Sequence, residues 1–166
     1  MRLVGTTVIV RPIVEAELAR LERIYAGTPL YFEALGIAEP TIEDVRAQYE
    51  AAQATPGRML LGIEVPAVDL LIGALDVQLD FPQPGVATIH VLLVWGGFQR
   101  QGYGRETVEL LVEELARLRP DIGELRVIAA ANEEGLRFWG QFGFMPHDEP
   151  AVAPFRNLPA QWLTAA

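Results

Sequence analysis

The chain contains no lysine, no cysteine and no serine. All thirteen of its basic residues are arginine, set against twenty-two acidic ones, for a formal charge of −9 over 166 residues. Each absence removes a chemistry. Lack of cysteine rules out a disulfide framework and a thiolate zinc site, and lack of both cysteine and serine rules out the two commonest side-chain nucleophiles. Lack of lysine rules out Schiff-base chemistry and a Walker-type phosphate loop, which needs Gly-Lys-Ser/Thr. Histidine is nearly absent. With only His90 and His147 to draw on, a multi-histidine site is not expected, and no metal is assigned. If the chain is an enzyme, its reactive group is expected to come from a bound molecule.

What remains is an ordinary globular composition, 51% apolar and 21% charged. The length fits a single domain spanning residues 1–166, large enough to bury a core without covalent staples. The acidic balance speaks against nucleic acid, whose binding relies on Lys/Arg neutralising phosphates, and favours cationic or neutral small partners. Met1 to Val14 breaks its short apolar run with Arg11-Pro12 and has neither a signal-peptide nor a membrane-span pattern, so the expected setting is cytoplasmic, with no membrane partner. Self-association as a homodimer stays open.

Patterning orders the elements. Thr6 to Arg11 is β-branched and alternating, a strand ended by Pro12, and Val14 to Tyr25 carries Leu18, Leu21, Ile24 and Tyr25 at helical spacing. Tyr31 to Gly36 is a short aromatic-bearing segment. Thr41 with acidic residues just after it reads as a helix cap, the helix running to about Ala54. Met59 to Glu64 and Leu70 to Asp80 read as strands, and Phe81 to Gly85 as a turn into a third, Ala87 to Trp95. The third is apolar on both faces, as a central strand should be: Ala87, Ile89, Val91, Leu93 and Trp95 on one, Thr88, His90, Leu92 and Val94 on the other. Next come a glycine-rich loop and a helix with Val108, Leu111, Leu115 and Leu118 as its stripe, ended by Pro120. Leu125 to Ala130 is a buried strand, Asn132 to Gln141 a short helix, Phe144 to Met145 a strand start, and Phe155 to Leu158 a candidate last strand.

The loop carries the chemistry. Glycines at 102 and 104 allow backbone conformations closed to other residues, and the helix after them offers unpaired amides and a positive dipole end. Together with Arg100 and Arg105 these make an anion site suited to a pyrophosphate, without lysine. Read alone, Gly-x-Gly before a helix is a weak signal, better read as a tight turn at a helix start. A dinucleotide fold is disfavoured, because Thr107 stands where its third glycine belongs.

Two further patterns give the loop its context. Val94-x-x-x-x-Gln99-x-x-Gly102-x-Gly104 resembles the acetyl-coenzyme A signature Q/R-x-x-G-x-G/A of the GNAT superfamily of N-acetyltransferases. Asn132-x-x-Gly135-x-x-Phe138-Trp139-Gly140-Gln141-Phe142-Gly143-Phe144 is similar to that family's second segment, N-x-x-A-x-x-F-Y-x-x-x-G-F. The order of elements from about Thr6 to Met145 resembles the family fold as well. The resemblance implies an α/β (α+β) architecture: a mixed, mostly antiparallel central sheet of six to seven strands flanked by about four helices. It also implies acetyl-CoA as co-substrate. Gln99, Arg100, Gln101, Gly102, Tyr103, Gly104 and Arg105 would hold it, with the amides from about Arg100 to Arg105 on the pyrophosphate. Backbone groups around Leu92 and Val94 would pair with the pantetheine arm and polarise the thioester carbonyl. Asn132 matches an asparagine that contacts the cofactor; a plain helix N-cap is the alternative. Phe138, Phe142 and Phe144 are expected in the core.

Acyl transfer to an amine needs the amine deprotonated, the oxyanion stabilised and the thiolate released. Thr88 stands where some family members place a catalytic glutamate. His90, two residues on, is the candidate base: Ile89-His90-Val91-Leu92-Leu93-Val94 with Phe98 and Gln101-Gly102 is similar to the arylalkylamine branch, which has histidine here. A structural core histidine is the alternative. Trp139 departs from the pattern, which has a tyrosine there to protonate the leaving thiolate. An indole cannot do that, although for a thiol of pKa about 8.5 the loss amounts to only roughly 2 kcal/mol. The acceptor side is assigned to Tyr31, Phe32 and the segment after them, with Asp76 and Asp80. The leading expectation is transfer of acetyl from acetyl-CoA to a primary amine of a small molecule, directly in a ternary complex. The alternative is a non-catalytic acyl-CoA binding or sensor module.

Overall fold

A computed structural model of the chain describes residues 1–129, 132–152 and 159–165, with the backbone alone from residue 147 onward. Its eight strands are β1 (Leu3–Val4), β2 (Ile9–Pro12), β3 (Arg58–Val65), β4 (Leu70–Leu79), β5 (Val86–Val94), β6 (Glu124–Ala129), β7 (Phe144–Val152) and β8 (Pro159–Ala165). They form one sheet in the order β1-β2-β3-β4-β5-β6-β8-β7, and only β5 and β6 run parallel. The helices among the described residues are α1 (Leu18–Ala26), α2 (Pro29–Ala34), α3 (Ile42–Ala54), α4 (Tyr103–Leu118) and α5 (Glu133–Gly140). None of them is long and apolar enough to cross a membrane.

Local chemistry explains most of these boundaries. Asp44 N–H donates to the Thr41 hydroxyl and Thr41 N–H donates to the Asp44 carboxylate, so α3 starts on a closed capping box. The aromatic segment from Tyr31 belongs to α2, which starts at Pro29, where a missing N–H costs nothing. The single strand expected over Thr6–Arg11 is instead β1 and β2 around a turn. Gly5 N–H closes that turn on the Val8 carbonyl, and the Glu106 carboxylate of α4 accepts from Thr6 and Thr7. Leu118 does not belong to the buried stripe of α4: it is 51% exposed at the last residue of the helix, and Thr107 is buried with Val108, Leu111 and Leu115. The strand expected over Phe155–Leu158 lies outside the described residues, as does Ala130; the final described strand begins at Pro159.

The sheet separates two apolar layers. Val108, Leu111 and Leu115 of α4 and Trp139 of α5 pack on one face, and α1, α2 and α3 cover the other with Leu18, Leu21, Phe32 and Val45. The central strand crosses from one layer to the other. Ile89 pairs with Val77 and Val91 with Asp76, which leaves His90 as an extra residue in β5. Such a bulge places two successive side chains toward one face and reverses the alternation beyond it. Ala87 and Ile89 therefore pack with α4, whereas Val91 and Leu93 pack with α1 to α3. The unbroken alternation expected from Ala87 to Trp95 fails at His90 for this reason.

Asp76 lies opposite the bulge and is fully buried. Arg58 grips it with two hydrogen bonds of 3.0 and 2.8 Å, the Gln48 amide donates to it at 3.0 Å, and the buried Tyr25 hydroxyl donates to Gln48 at 2.8 Å. Removing one member of such a pair strands the other charge. Asp76→Ala should therefore lower unfolding stability by about 3–5 kcal/mol in urea titrations. A loss below about 1 kcal/mol would show that water reaches Arg58.

Candidate active site

The site follows from where β5 loses a neighbour. Its described pairing with β6 ends at Ile89 opposite Val127, while β5 continues to Val94. Trp95 N–H donates to the Ile72 carbonyl of β4 at 2.7 Å. Backbone direction alternates along a strand, so Leu92 and Val94 turn their polar groups to the opposite side, where β6 has departed. The Val94 carbonyl accepts from the Gln99 side chain at 2.9 Å. The Leu92 backbone is hydrogen-bonded to the Tyr31 hydroxyl.

The loop after β5 brings a helix end to the same place. Gly102 has φ +87°, a left-handed conformation that suits glycine, and it immediately precedes α4. Arg100 also sits at positive φ, +62°, which is uncommon for a residue with a side chain. Glu106 N–H to the Gly102 carbonyl is the first helical bond, at 3.0 Å. The amides of Tyr103, Gly104 and Arg105 precede it and have no acceptor within the helix. Gly104 faces Phe138 and Val94, which a Cβ would touch at 3.5 and 3.7 Å, so α4 starts close against α5 and β5. Arg100 and Arg105 are exposed, 3.7 Å from Glu134 and 2.9 Å from Glu109 respectively.

These parts line one cleft of about 870 Å³. It brings together Leu92, Val94, Gln99, Arg100, Gly102, Tyr103, Gly104, Arg105, Asn132 and Trp139 from the expected cofactor set, and Tyr31 from the acceptor set. Asn132 does cap α5, its side-chain oxygen accepting from Gly135 N–H at 2.7 Å, and it faces the cleft as well. Trp139 is buried with edge contacts to Phe138 and Phe144. Phe138, expected only in the core, lines the cleft too. Thr28, Pro29 and Leu30, which the sequence alone does not assign to the site, form its wall on the α2 side. The one signal there was proline at a helix start beside aromatics.

The other expected site residues are not in that lining. Gln101 turns back to donate to the Gly97 carbonyl at 3.4 Å. Phe32 is 1% exposed in the core, its ring edge-on to Tyr25, because the helical turn of α2 directs adjacent residues to different sides. Asp76 is enclosed by Arg58 and Gln48, and Asp80 pairs with Arg119 at the turn before β5. His90 is buried by the bulge, 3.0 Å from Gln78 and against the Phe81 ring. Burial drives its pKa down to about 4, opposed by the Asp76 carboxylate and assisted by the Arg58 guanidinium. It is a neutral, enclosed imidazole. Among the described residues, no group of three or more His, Cys, Asp or Glu is arranged to hold a metal ion.

Comparison with known proteins agrees with this architecture. The model of the acetyltransferase (GNAT) family matches residues 21–144, more than half of the chain, and the chain belongs to that family, an acetyl-CoA dependent acyltransferase. No curated protein matches it by sequence. Among solved structures, an acetyltransferase from Thermus thermophilus is 22% identical, with 99% of this chain and 98% of that one aligned at a TM-score of 0.77. A GCN5-related N-acetyltransferase from Brucella melitensis is 16% identical over 99% of this chain and 78% of that one, TM-score 0.77. AAC(6')-Ib, solved with ribostamycin and coenzyme A, is 20% identical over 97% and 94%, TM-score 0.75.

Gly102→Val forces a β-branched side chain into the left-handed region. Calorimetry should show coenzyme A binding lost while the melting temperature moves by only a few degrees, since nothing lies within 4 Å of the added Cβ. Unimpaired binding would move the anion site away from this loop. His90 generates a pH prediction. Its folded pKa of about 4 lies below the ~6.5 of an exposed histidine, so the unfolded chain takes up the proton first as pH falls. About 3 kcal/mol of stability, fully present above pH ~6.5, should be lost on descending toward pH 4. Urea midpoints of His90→Gln should fall less steeply over that range than those of the unaltered chain, and parallel curves would refute the assignment.

Proposed function

We propose that residues 1–166 act as one acetyltransferase domain that moves the acetyl group of acetyl-CoA directly to a primary amine of a small molecule in a ternary complex. One observation carries the proposal: the unpaired edge of β5 at Leu92 and Val94 opens into the same cleft as the free amides that begin α4. A peptide-like arm needs the first, and a pyrophosphate needs the second. The residues present therefore fit acetyl-CoA, which when bound supplies an activated acetyl thioester.

Each part then has a role. The amides of Gly102, Tyr103, Gly104 and Arg105 hold the pyrophosphate, with Arg100 and Arg105 leaving their glutamate partners for it at little cost, since exposed ion pairs contribute about 0–1 kcal/mol. Gln99 anchors the loop to the end of β5 through the Val94 carbonyl. Leu92 N–H polarises the acyl carbonyl. Asn132, with its oxygen engaged on Gly135, has its side-chain NH2 to offer the arm. With no serine or cysteine in the chain, and with the Thr28 hydroxyl committed to the Ile24 carbonyl, no aliphatic hydroxyl among the described lining residues is left to carry the acetyl group. Transfer is direct.

His90 does not serve as the base by contact, since it does not reach the cleft. The titratable groups among the described lining residues are Tyr31, Tyr103, Glu134 and the two arginines. Glu134 is exposed beside Arg100. The amine must therefore arrive already neutral, and the neutral fraction of the acceptor sets the rate. A small-molecule acceptor fits a chain of net charge −9, and the aminoglycoside complex of AAC(6')-Ib offers a precedent for the fold. Trp139 is the one feature that favours a sensor instead, because an indole cannot protonate a leaving thiolate.

Release of free thiol from acetyl-CoA across a panel of small primary amines separates the readings, after calorimetry has confirmed acetyl-CoA binding. Turnover with intersecting initial-velocity lines is expected. kcat/KM should rise with pH and level off near the pKa of whichever amine is used. Tight binding with no turnover on any amine would establish the sensor, and failure to bind any coenzyme A ester would end both.

A further inference from the structure

We propose that the Tyr31 hydroxyl is a second hydrogen-bond donor to the acyl oxygen, working beside the Leu92 amide, so that α2 and β5 together form the oxyanion site. The inference rests on acetyl transfer as proposed above.

Position comes first. Tyr31 and Leu92 line the same cleft from opposite elements, α2 and β5. The Leu92 polar groups point away from β4, by the alternation that Trp95 fixes, and its N–H donates to the Tyr31 hydroxyl oxygen. The phenol oxygen is therefore within hydrogen-bond reach of the amide that the acyl carbonyl needs. Its own proton is not used in that bond and remains available to donate. A carbonyl oxygen entering at Leu92 meets two donors, one from the backbone and one from a side chain.

Rigidity comes second, because a donor stabilises developing charge only if it is already in place. Tyr31 stands edge-on to Phe32 at 5.1 Å between ring centres, and Phe32 is 1% exposed and edge-on to the buried Tyr25. Thr28 and Pro29 fix the start of α2, and Tyr31 N–H donates to the Thr28 carbonyl at 3.2 Å. The ring is thus held from the core side while Tyr31 lines the cleft.

The protonation state decides what this hydroxyl can do. Burial, and then the Asp76 carboxylate, push the Tyr31 pKa far above that of a free phenol. It stays protonated at any working pH and is too weak an acid to hand its proton to a thiolate of pKa about 8.5. Tyr31 therefore does not replace the tyrosine missing at Trp139. It donates a hydrogen bond and keeps its proton throughout.

Tyr31→Phe removes the hydroxyl and keeps the ring against Phe32. Two measurements test the role. Infrared difference spectra of carbonyl-13C acetyl-CoA bound without amine should show the thioester stretch shifted down in the unaltered chain and closer to its free value in Tyr31→Phe. kcat should fall about 10²-fold, the effect of losing one oxyanion donor, with the KM for acetyl-CoA little changed and the pH profile of kcat/KM the same in shape. An unshifted carbonyl difference between the two chains would overturn the proposal, as would an unchanged kcat or a loss confined to KM. If the unaltered chain turns over no amine, acetyl transfer itself fails, and the infrared comparison still decides whether Tyr31 touches the acyl oxygen.

Discussion

Backbone polar groups inside a protein must find partners, and the parting of β5 from β6 leaves a stretch of central strand with no ladder partner among the described residues on one side. Unpaired buried amides and carbonyls cost on the order of 1–3 kcal/mol each. Here the fold supplies local substitutes: Gln99 for the Val94 carbonyl and Tyr31 for the Leu92 amide. Both are single side-chain contacts, easier to exchange for a ligand than a run of ladder bonds would be. The cleft stays open because the strand cannot close it, and on the proposed reading ligand binding completes a sheet edge that folding leaves incomplete.

The bulge at His90 does the complementary work. By adding one residue to β5 it turns Leu92 and Val94 toward the α4 and α5 layer and keeps Val91 and Leu93 in the other core. Without it, Leu92 and Val94 would lie on the layer of α1 to α3 and the alignment with the loop at Gly102 would be lost. The buried Asp76 with its Arg58 and Gln48 partners lies directly opposite, so a rigid polar cluster braces the irregular part of the strand. Asp76 thus acts on the site from inside the sheet. Its negative charge also bears on His90 and Tyr31, favouring a protonated phenol at the cleft.

Much of this was legible in the residues. Periodicity marks α1 and α4, the Thr41 cap marks the start of α3, and the Pro120 stop falls where its chemistry puts it. The glycine loop and Asn132 carry local signals, since a positive φ and an N-cap are both written in one residue type. The bulge was not legible, because β5 is apolar on both faces and a strand without alternation gives no mark where its register slips. For that reason the residues alone place His90 beside the chemistry, and they put Asp76 on the acceptor side because the Arg58 and Gln48 partners that enclose it come from distant segments. Tyr31 could be named from its aromatic neighbours, but its contact with Leu92 depends on how α2 folds back over β5, which is a tertiary fact.

The absence of lysine and serine sharpens the same point about where the chemistry lies. An enzyme with no serine, thiol or lysine nucleophile acts through groups fixed in place, and amides are the most fixed groups a chain has. Trp139 fits such a strategy. It is 6% exposed within a cluster of Phe138, Phe142 and Phe144 that shapes the cleft beside Gly104, so its bulk contributes to the position of α4 relative to β5. A phenol at that position would supply a proton to a thiolate that already leaves at a cost of only about 2 kcal/mol near neutral pH. An indole gives up that proton and gains area in the aromatic wall, and burying an aromatic surface of this size stabilises by an amount comparable to the term it replaces. On the proposed reading, the trade leaves transfer dependent on the donors aimed at the acyl oxygen, which is where the departing strand and the short helix α2 converge.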